Sequence, residues 1–149
     1  MVVVPDASVI LKWALPAQGE PDAARALALR DAISDERVRA VVPALWLYEV
    51  GNTIARRFPV HATGWLRALL KLGLAEAPIT DAWLDRALSL TQRYPVTFYD
   101  AAYHATALML RGVFVTADRP YFDLAEKEGG VALLSEWRPP VRGAPKRRR

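Results

Sequence analysis

Four acidic side chains occupy positions that are unusual for surface acids. Asp6 follows a short run of valines within two residues, and Asp118 follows the run Val113–Val115 within three. Glu49 lies inside an apolar segment, and Asp100 opens an alanine-rich one. Carboxylates with no histidine or cysteine cluster beside them select hard cations such as Mg²⁺ or Mn²⁺. Such ions can activate water for phosphodiester cleavage, so these acids predict a metal-dependent hydrolytic site.

Three of these acids also have a structural explanation. Asp6 and Asp118 each stand between a predicted strand and a predicted helix, where an N-cap contributes about 1 kcal/mol. The pattern Thr97-x-x-Asp100 is typical of a capping box at the start of a helix. For each acid taken alone, helix capping is therefore an open alternative to a metal site.

Glu49 is harder to explain by structure alone. It lies within the segment Leu-Trp-Leu-Tyr-Glu-Val, which is too apolar to be a solvated helix face. A buried carboxylate is costly unless it is paired or binds a cation. Asn52 and Arg56 share its side of the helix, so a hydrogen bond to Asn52 or a pairing with Arg56 is the alternative.

The elements that must position these acids follow from hydrophobic periodicity. Strands alternate with helices, which predicts a central parallel sheet of about four to five strands in a three-layer α/β/α sandwich. The predicted strands are Val2–Val4, Val38–Val42, Leu74–Ile79, Val113–Val115 and Val131–Leu134. The predicted helices are Ala7–Leu15, Asp22–Ile33, Leu45–Phe58, Ala62–Leu72, Asp81–Arg93, Tyr99–Arg111 and Tyr121–Glu128. In such sheets the functional crevice lies outside the carboxyl ends of the strands.

Composition restricts the class of protein. The 149 residues are 52% hydrophobic and 24% charged, which fits one globular domain. There is no cysteine, so thiolate metal sites and cysteine nucleophiles are excluded. Charged residues interrupt the most apolar regions, and the first residues do not resemble a signal peptide. We therefore expect a cytoplasmic protein with no membrane span.

Charge divides the chain into two parts. The net charge is +4, but residues 138–149 contain six bases and no acid. The remaining 14 bases face 16 acids, a net charge of −2. We predict one domain over residues 1–137 and a flexible basic tail over residues 138–149. The tail could hold RNA electrostatically or simply be solvated.

Four short motifs, in order, carry a family resemblance. They are Val-Val-Val-Pro-Asp6-Ala-Ser8, Tyr-Glu49-Val-Gly-Asn52, Phe-Tyr-Asp100-Ala-Ala-Tyr103 and Phe-Val-Thr116-Ala-Asp118. Together they resemble the PIN-domain family over about residues 2–134, and within it the VapC-type toxins of toxin–antitoxin pairs. The resemblance implies a metal-dependent endoribonuclease of PIN-like fold. It also implies a homodimer and a small antitoxin protein that covers the acidic groove.

The resemblance further assigns roles to individual residues. It implies that one or two Mg²⁺ or Mn²⁺ ions are held by Asp6, Glu49, Asp100 and Asp118. Ser8 and Thr116 match hydroxyl positions that help to place a ligand or water, and Asn52 would orient Glu49. The implied reaction is attack by activated water on RNA, which leaves 5′-phosphate and 3′-hydroxyl ends.

Two other functions are weighed against this one. An aspartate-nucleophile phosphatase would use Asp6, although such sites generally have a second acid where this chain has Ser8. A non-catalytic PIN-like module that binds RNA or protein would use the acids only as caps. Among other polar residues, His104 is expected to be a hydrogen-bonded structural residue and His61 to be exposed. Asp123 is either an extra acid near the site or a residue of a helix surface.

Overall fold

A five-stranded parallel sheet forms the centre of the computed structural model, which describes residues 1–141. The strands are β1 (Val2–Pro5), β2 (Arg39–Val42), β3 (Ala75–Glu76), β4 (Val113–Thr116) and β5 (Val131–Leu133). The predicted parallel sheet is thus confirmed. The prediction of a flexible tail falls largely on residues 142–149, which lie outside the described part of the chain.

The strand order β3-β2-β1-β4-β5 places the first strand in the middle of the sheet. β1 pairs with β2 through Val2 and Arg39 on one side. On the other side it pairs with β4, where Val3 lies opposite Val113 and Pro5 opposite Val115. Strand order therefore reverses between β1 and β4, and this switch point is where a parallel sheet opens a crevice at its carboxyl edge.

Helices cover the sheet in two layers. They are α1 (Ala7–Ala14), α2 (Ala23–Ser34), α3 (Leu45–Arg57), α4 (Ala62–Leu70), α5 (Asp81–Arg93), α6 (Phe98–Met109) and α7 (Arg119–Ala125). Helix α1 packs against α2, α3 and α4, whereas α6 packs against α5 and against strands β1, β2 and β4. This arrangement confirms the predicted three-layer fold. Within residues 1–141, no helix combines the length and apolar character that a membrane crossing requires.

Two predicted elements differ most in extent from those observed, while the other bounds agree to within one or two residues. The edge strand predicted over Leu74–Ile79 is only Ala75–Glu76, because β3 pairs with β2 alone and Pro78 has no N–H to continue the ladder. The last helix begins earlier than predicted, since Pro120 suits a first helical turn. It ends at Ala125 and continues as a short 3-10 turn to Glu128.

Close packing at Gly112 joins α6 to the centre of the sheet. A Cβ atom at this position would lie 2.7 Å from the carbonyl oxygen of Val2. Glycine therefore allows the chain to pass beside β1 just before β4 begins. Parallel pairing of β1 and β4 then places their carboxyl ends at the same edge of the sheet.

Candidate active site

Asp6 lies at the carboxyl end of β1, where the chain turns into α1. It occupies the N-cap position of that helix, but its side chain makes no capping hydrogen bond. Its Oδ2 atom instead accepts hydrogen bonds from Ser8 Oγ at 2.6 Å and from Thr116 Oγ1 at 2.8 Å. The capping explanation is therefore wrong for Asp6. This carboxylate is only 6% exposed and is held by two hydroxyl groups.

The same two hydroxyl groups connect Asp6 to the turn that follows β4. Thr116 Oγ1 also accepts a hydrogen bond from the backbone N–H of Asp118 at 3.0 Å. Ser8 Oγ accepts one from the backbone N–H of Ala117 at 3.2 Å. Each hydroxyl thus donates to Asp6 and accepts from the β4–α7 turn. The turn that carries Asp118 is fixed relative to Asp6.

Burial raises the pKa of Asp6 to about 6, since a charged carboxylate is poorly solvated there. The hydrogen bonds from Ser8 and Thr116 stabilise the charged form and oppose this effect, while the charge of Asp100 adds to it. Asp6 therefore has an elevated pKa even though two hydroxyl groups donate hydrogen bonds that stabilise its charged form. Such a combination is typical of functional carboxylates.

Glu49 projects from α3 towards the same edge of the sheet. Its Oε2 atom accepts a hydrogen bond from the hydroxyl of Tyr103 at 3.0 Å. Within residues 1–141 neither Arg56 nor Asn52 bonds to this carboxylate, so both structural alternatives are wrong. Burial raises the pKa of Glu49 to about 7, the Tyr103 hydrogen bond opposes this, and the charges of Asp6 and Asp100 add to it.

Asp100 and Asp118 lie at the starts of α6 and α7. The backbone N–H of Asp100 donates to Thr97 Oγ1, and that hydroxyl donates to Asp100 Oδ2, both at 3.1 Å. Asp118 Oδ1 accepts from the backbone N–H of Tyr121 at 3.0 Å, which caps α7. The capping role is thus confirmed for the Asp118 side chain, whereas α6 is capped by the hydroxyl of Thr97 and the Asp100 carboxylate bonds to that hydroxyl. Burial and the nearby charge of Asp118 nevertheless raise the pKa of Asp100.

The four carboxylates share one hydrogen-bonding pattern. Each has one oxygen with an identified hydrogen-bond donor: Oδ2 of Asp6, Oε2 of Glu49, Oδ2 of Asp100 and Oδ1 of Asp118. The Asp6 carboxylate also accepts from the backbone N–H of Ala7. No side-chain hydrogen bond in residues 1–141 reaches the second oxygen of any of them. In the same range no three acidic or histidine side chains stand close enough to form a ready-made ligand set.

Tyr103 is the residue of this site that sequence reasoning missed as a contributor. Its ring is fully buried and stacks on Phe114 with 5.7 Å between ring centroids, which leaves its hydroxyl beside Glu49. Its position three residues after Asp100 on α6 was the available signal, since both then lie on the same side of the helix. Asn52 is exposed, and its predicted role in orienting Glu49 stays a prediction.

His104 has a structural role, as predicted. It is fully buried, with Nδ1 2.8 Å from the hydroxyl of Tyr121 and Nε2 2.7 Å from the carbonyl oxygen of Gly129. Because that carbonyl only accepts, Nε2 carries the proton and Nδ1 accepts from Tyr121. Burial lowers the pKa of His104 and favours this neutral form. His61 is exposed, also as predicted, and Asp123 is exposed on α7, which favours the helix-surface alternative.

Fold and site together define a class of protein: a parallel α/β domain with acidic side chains at the switch point of its sheet. The family model described as the PIN domain matches residues 3–127. The chain belongs to the PIN domain family. The family resemblance read from the four motifs is thereby confirmed.

Several solved structures share this fold at low sequence identity. A toxin–antitoxin complex from Klebsiella pneumoniae superposes with a TM-score of 0.64 at 17% identity, covering 89% of this chain and 97% of that one. VapBC2 from Rickettsia felis, bound to a promoter DNA fragment, gives 0.65 at 9% identity with coverages of 89% and 97%. FitAcB from Neisseria gonorrhoeae gives 0.62 at 19% identity with coverages of 89% and 96%. Comparison with curated protein sequences gives no match.

Proposed function

We propose that the chain is a divalent-metal-dependent endoribonuclease. One observation carries the proposal. Four carboxylates at the carboxyl edge of the sheet each have one oxygen fixed by the protein and a second with no side-chain partner in residues 1–141. Such a set offers four separate oxygen donors in a defined orientation. Membership of the PIN domain family supports nuclease chemistry at this position.

The donor chemistry fits a hard cation, because every candidate ligand is a carboxylate oxygen. The residues that would hold one or two Mg²⁺ or Mn²⁺ ions are Asp6, Glu49, Asp100 and Asp118. A bound ion would supply Lewis-acid stabilisation of the phosphodiester and would acidify water. Positive charge there would also lower the raised pKa values of Asp6 and Glu49, so both carboxylates would lose their protons.

Hydrogen bonds within the chain hold two of these carboxylates, those of Asp6 and Glu49, in place. Ser8 and Thr116 hold Oδ2 of Asp6, and Tyr103 holds Oε2 of Glu49. These hydrogen bonds limit the rotation of each carboxylate and leave its second oxygen without a side-chain partner in the described residues. Folding thus places carboxylates that raise each other's pKa values near one another, and a bound divalent ion would relieve that repulsion.

The proposal extends to a biological role as the toxin of a type II toxin–antitoxin pair. The support is the likeness of fold to the toxin–antitoxin structures from Klebsiella and Rickettsia. The expected partners are RNA as substrate, a small antitoxin that covers the acidic groove, and a second copy of the chain in a homodimer. We place the active protein in the cytoplasm, where its RNA substrate would be found.

Cleavage assays with matched variants test the proposal. Purified protein is incubated with a panel of structured RNAs in Mg²⁺, in Mn²⁺ or in chelator. We expect metal-dependent cleavage that is lost in Asp6→Asn and Asp118→Asn. Asp123→Asn is the control, because this exposed acid of α7 pairs only with Arg119 among the described residues. Cleavage that persists in chelator, or that survives in both site variants, rejects the proposal.

A non-catalytic binding module is the second candidate. It is favoured by the absence of a ready-made ligand set in residues 1–141. It predicts no heat of Mn²⁺ binding in calorimetric titration and the same RNA affinity with or without metal. The phosphatase alternative is less well supported, because Asp6 is buried and its Oδ2 is already engaged by two hydroxyls.

A further inference from the structure

The helical arm that leaves the acidic site is the most basic part of the described chain. We define the α3–α4 arm as residues 50–75, which comprise most of α3, all of α4 and the turns around them. This segment contains no Asp or Glu and has four bases, Arg56, Arg57, Arg67 and Lys71. The rest of residues 1–137 has 10 bases and 16 acids, a net charge of −6. Positive charge in the folded domain is therefore concentrated on the arm.

The charges of the arm face solvent. All four bases are exposed, and none forms an ion pair within residues 1–141. Bases elsewhere on the domain are often neutralised by acids: Lys12, Arg30, Arg37, Arg86, Arg93 and Arg119 all have carboxylate partners. A base without a carboxylate partner keeps its full charge for an external anion.

The arm is connected to the site by one stripe of α3. Glu49, Asn52 and Arg56 are spaced three and four residues apart, so they follow one side of the helix. Asn52 and Arg56 are both exposed. Arg56 lies two helical turns beyond Glu49, about 10 Å along the axis. A polymer that approaches the acids along this stripe meets the Arg56 guanidinium first and the Asn52 amide next.

Aromatic packing gives the arm a defined shape. The Arg57 guanidinium lies 5.2 Å from the centroid of the Phe58 ring, and Phe58 packs on Trp65 at 5.2 Å. His61 stacks nearly parallel on the same Trp65 side chain, with 4.9 Å between ring centroids. Helix α4 also packs against α1 and α3. The bases are thus presented by an ordered surface and not by a loose loop.

We infer that the α3–α4 arm binds the phosphate backbone of single-stranded RNA and directs it along Asn52 to the acidic site. This inference rests on the proposed function and names the surface that the RNA would use. The acidic remainder of the domain repels a polyanion, so the arm is the favoured path. The arm binds phosphates, which makes the binding strongly dependent on salt and largely independent of sequence.

The test is salt-dependent binding of labelled oligoribonucleotides of several sequences, measured by fluorescence anisotropy in chelator. The variant is Arg56→Gln/Arg57→Gln. The control is Arg111→Gln/Lys127→Gln, which removes two exposed bases without ion pairs in the described range, near the amino ends of β4 and β5. Both variants lose the same charge and keep the same tail, so the contribution of the tail cancels. Thermal unfolding confirms that both are folded.

We expect the arm variant alone to lose affinity, about ten-fold at low salt and equally for all sequences. The slope of log K against log salt should become shallower by about 1.4, which is about 0.7 for each phosphate that the variant no longer neutralises. Equal losses of affinity in the arm and control variants, or no loss in either, overturn the inference.

Cleavage by the wild type in Mn²⁺ is measured in parallel to separate the two proposals. RNA cleavage by the wild type together with unchanged binding by the arm variant overturns the arm inference alone. In that case an acidic protein segment becomes the better occupant of the arm. RNA binding that depends on the arm, without any metal-dependent cleavage, rejects the proposed function and supports the arm as an RNA surface.

Discussion

The hydroxyl of Thr116 lies 2.8 Å from Asp6 Oδ2 and 3.0 Å from the backbone nitrogen of Asp118. It donates to the first and accepts from the second, so one buried side chain connects the two strand ends of the site. β1 and β4 are adjacent, and the hydrogen bond from Thr116 to Asp6 links their ends at the carboxyl edge of the sheet. The position of Asp118 relative to Asp6 therefore depends on two hydroxyl groups, those of Thr116 and Ser8.

Replacing that hydroxyl by a methyl group should disturb the site without changing its volume. Thr116→Val removes a hydrogen bond to a buried carboxylate, which should cost about 1.5–3 kcal/mol of stability at pH 8, where Asp6 is ionised. Mn²⁺ affinity measured by calorimetry should fall about ten-fold, as expected when a residue behind a metal ligand is removed. Thr106→Val is the control, since Thr106 is also buried but bonds to Trp83 Nε1. It should lower stability and leave Mn²⁺ affinity intact; equal losses of affinity would contradict the prediction.

Tyr103→Phe tests the positioning of Glu49. The ring can keep its stacking on Phe114, while the hydrogen bond to Glu49 Oε2 is removed. We expect Mn²⁺ affinity to fall about ten-fold or more, because Glu49 becomes free to rotate and easier to protonate.

The matched control for that change is Tyr94→Phe. The hydroxyl of Tyr94 makes a similar hydrogen bond, 3.1 Å from Oε2 of Glu128, outside the site. Calorimetry should show wild-type Mn²⁺ affinity in this variant. A wild-type affinity in Tyr103→Phe as well would mean that Glu49 does not depend on the tyrosine.

The raised pKa values of Asp6, about 6, and Glu49, about 7, predict how stability changes with pH in the absence of metal. Both pKa values are higher in the folded state than in the unfolded chain, so the folded state binds more protons between about pH 4 and 7. The stabilisation is complete below the unfolded pKa values and is lost as pH rises through 6 and 7. Urea unfolding in chelator should therefore give a lower free energy of unfolding at pH 8 than at pH 5.

His104 acts in the opposite direction, because its pKa is lowered on folding. The comparison is therefore made with Asp6→Asn/Glu49→Gln, in which His104 is unchanged. This double variant should lose the decrease in stability between pH 5 and 8. Adding Mn²⁺ at pH 8 should stabilise the wild type and leave the double variant unaffected. A decrease of the same size in both proteins would show that other groups are responsible.

Replacing two different glycines by alanine should have opposite effects on the stability of the protein. Gly112→Ala places a Cβ atom 2.7 Å from the backbone oxygen of Val2, so β1 or the end of α6 must move, at a cost of about 1–3 kcal/mol. Gly51 lies within α3, and a Cβ atom there would meet open space, so Gly51→Ala should stabilise the protein by about 0.5–1 kcal/mol. Urea unfolding at pH 5 measures both. A loss of stability at Gly51 would contradict the expected helix preference.

Features that depend on neighbouring residues in the sequence were predicted correctly. Apolar runs and their breakers located β1 and β4, and acids that directly follow strand ends must meet at one edge of a parallel sheet. Asp6 and Asp118 were found for that reason. The apolar surroundings of Glu49 also marked it correctly as a carboxylate that needs a partner.

The partners themselves could not be predicted, because they come from distant parts of the chain. Tyr103 is 54 residues from Glu49, and Thr116 is 110 residues from Asp6. Which hydroxyl reaches which oxygen depends on sheet register and helix packing, which periodicity does not specify. The nearby polar residues of α3, Asn52 and Arg56, were therefore wrongly considered as the partners of Glu49.

The place of β1 in the sheet has a consequence for synthesis of the chain. Of the five strands of the sheet, the central one is made before the others, and its neighbour β4 follows more than a hundred residues later. Until Thr116 has emerged, Asp6 lacks one of its two donors and Asp118 does not exist beside it. Because non-local pairing of this kind forms late, a nascent chain stays without an assembled acidic site until β4 and the turn after it have been made.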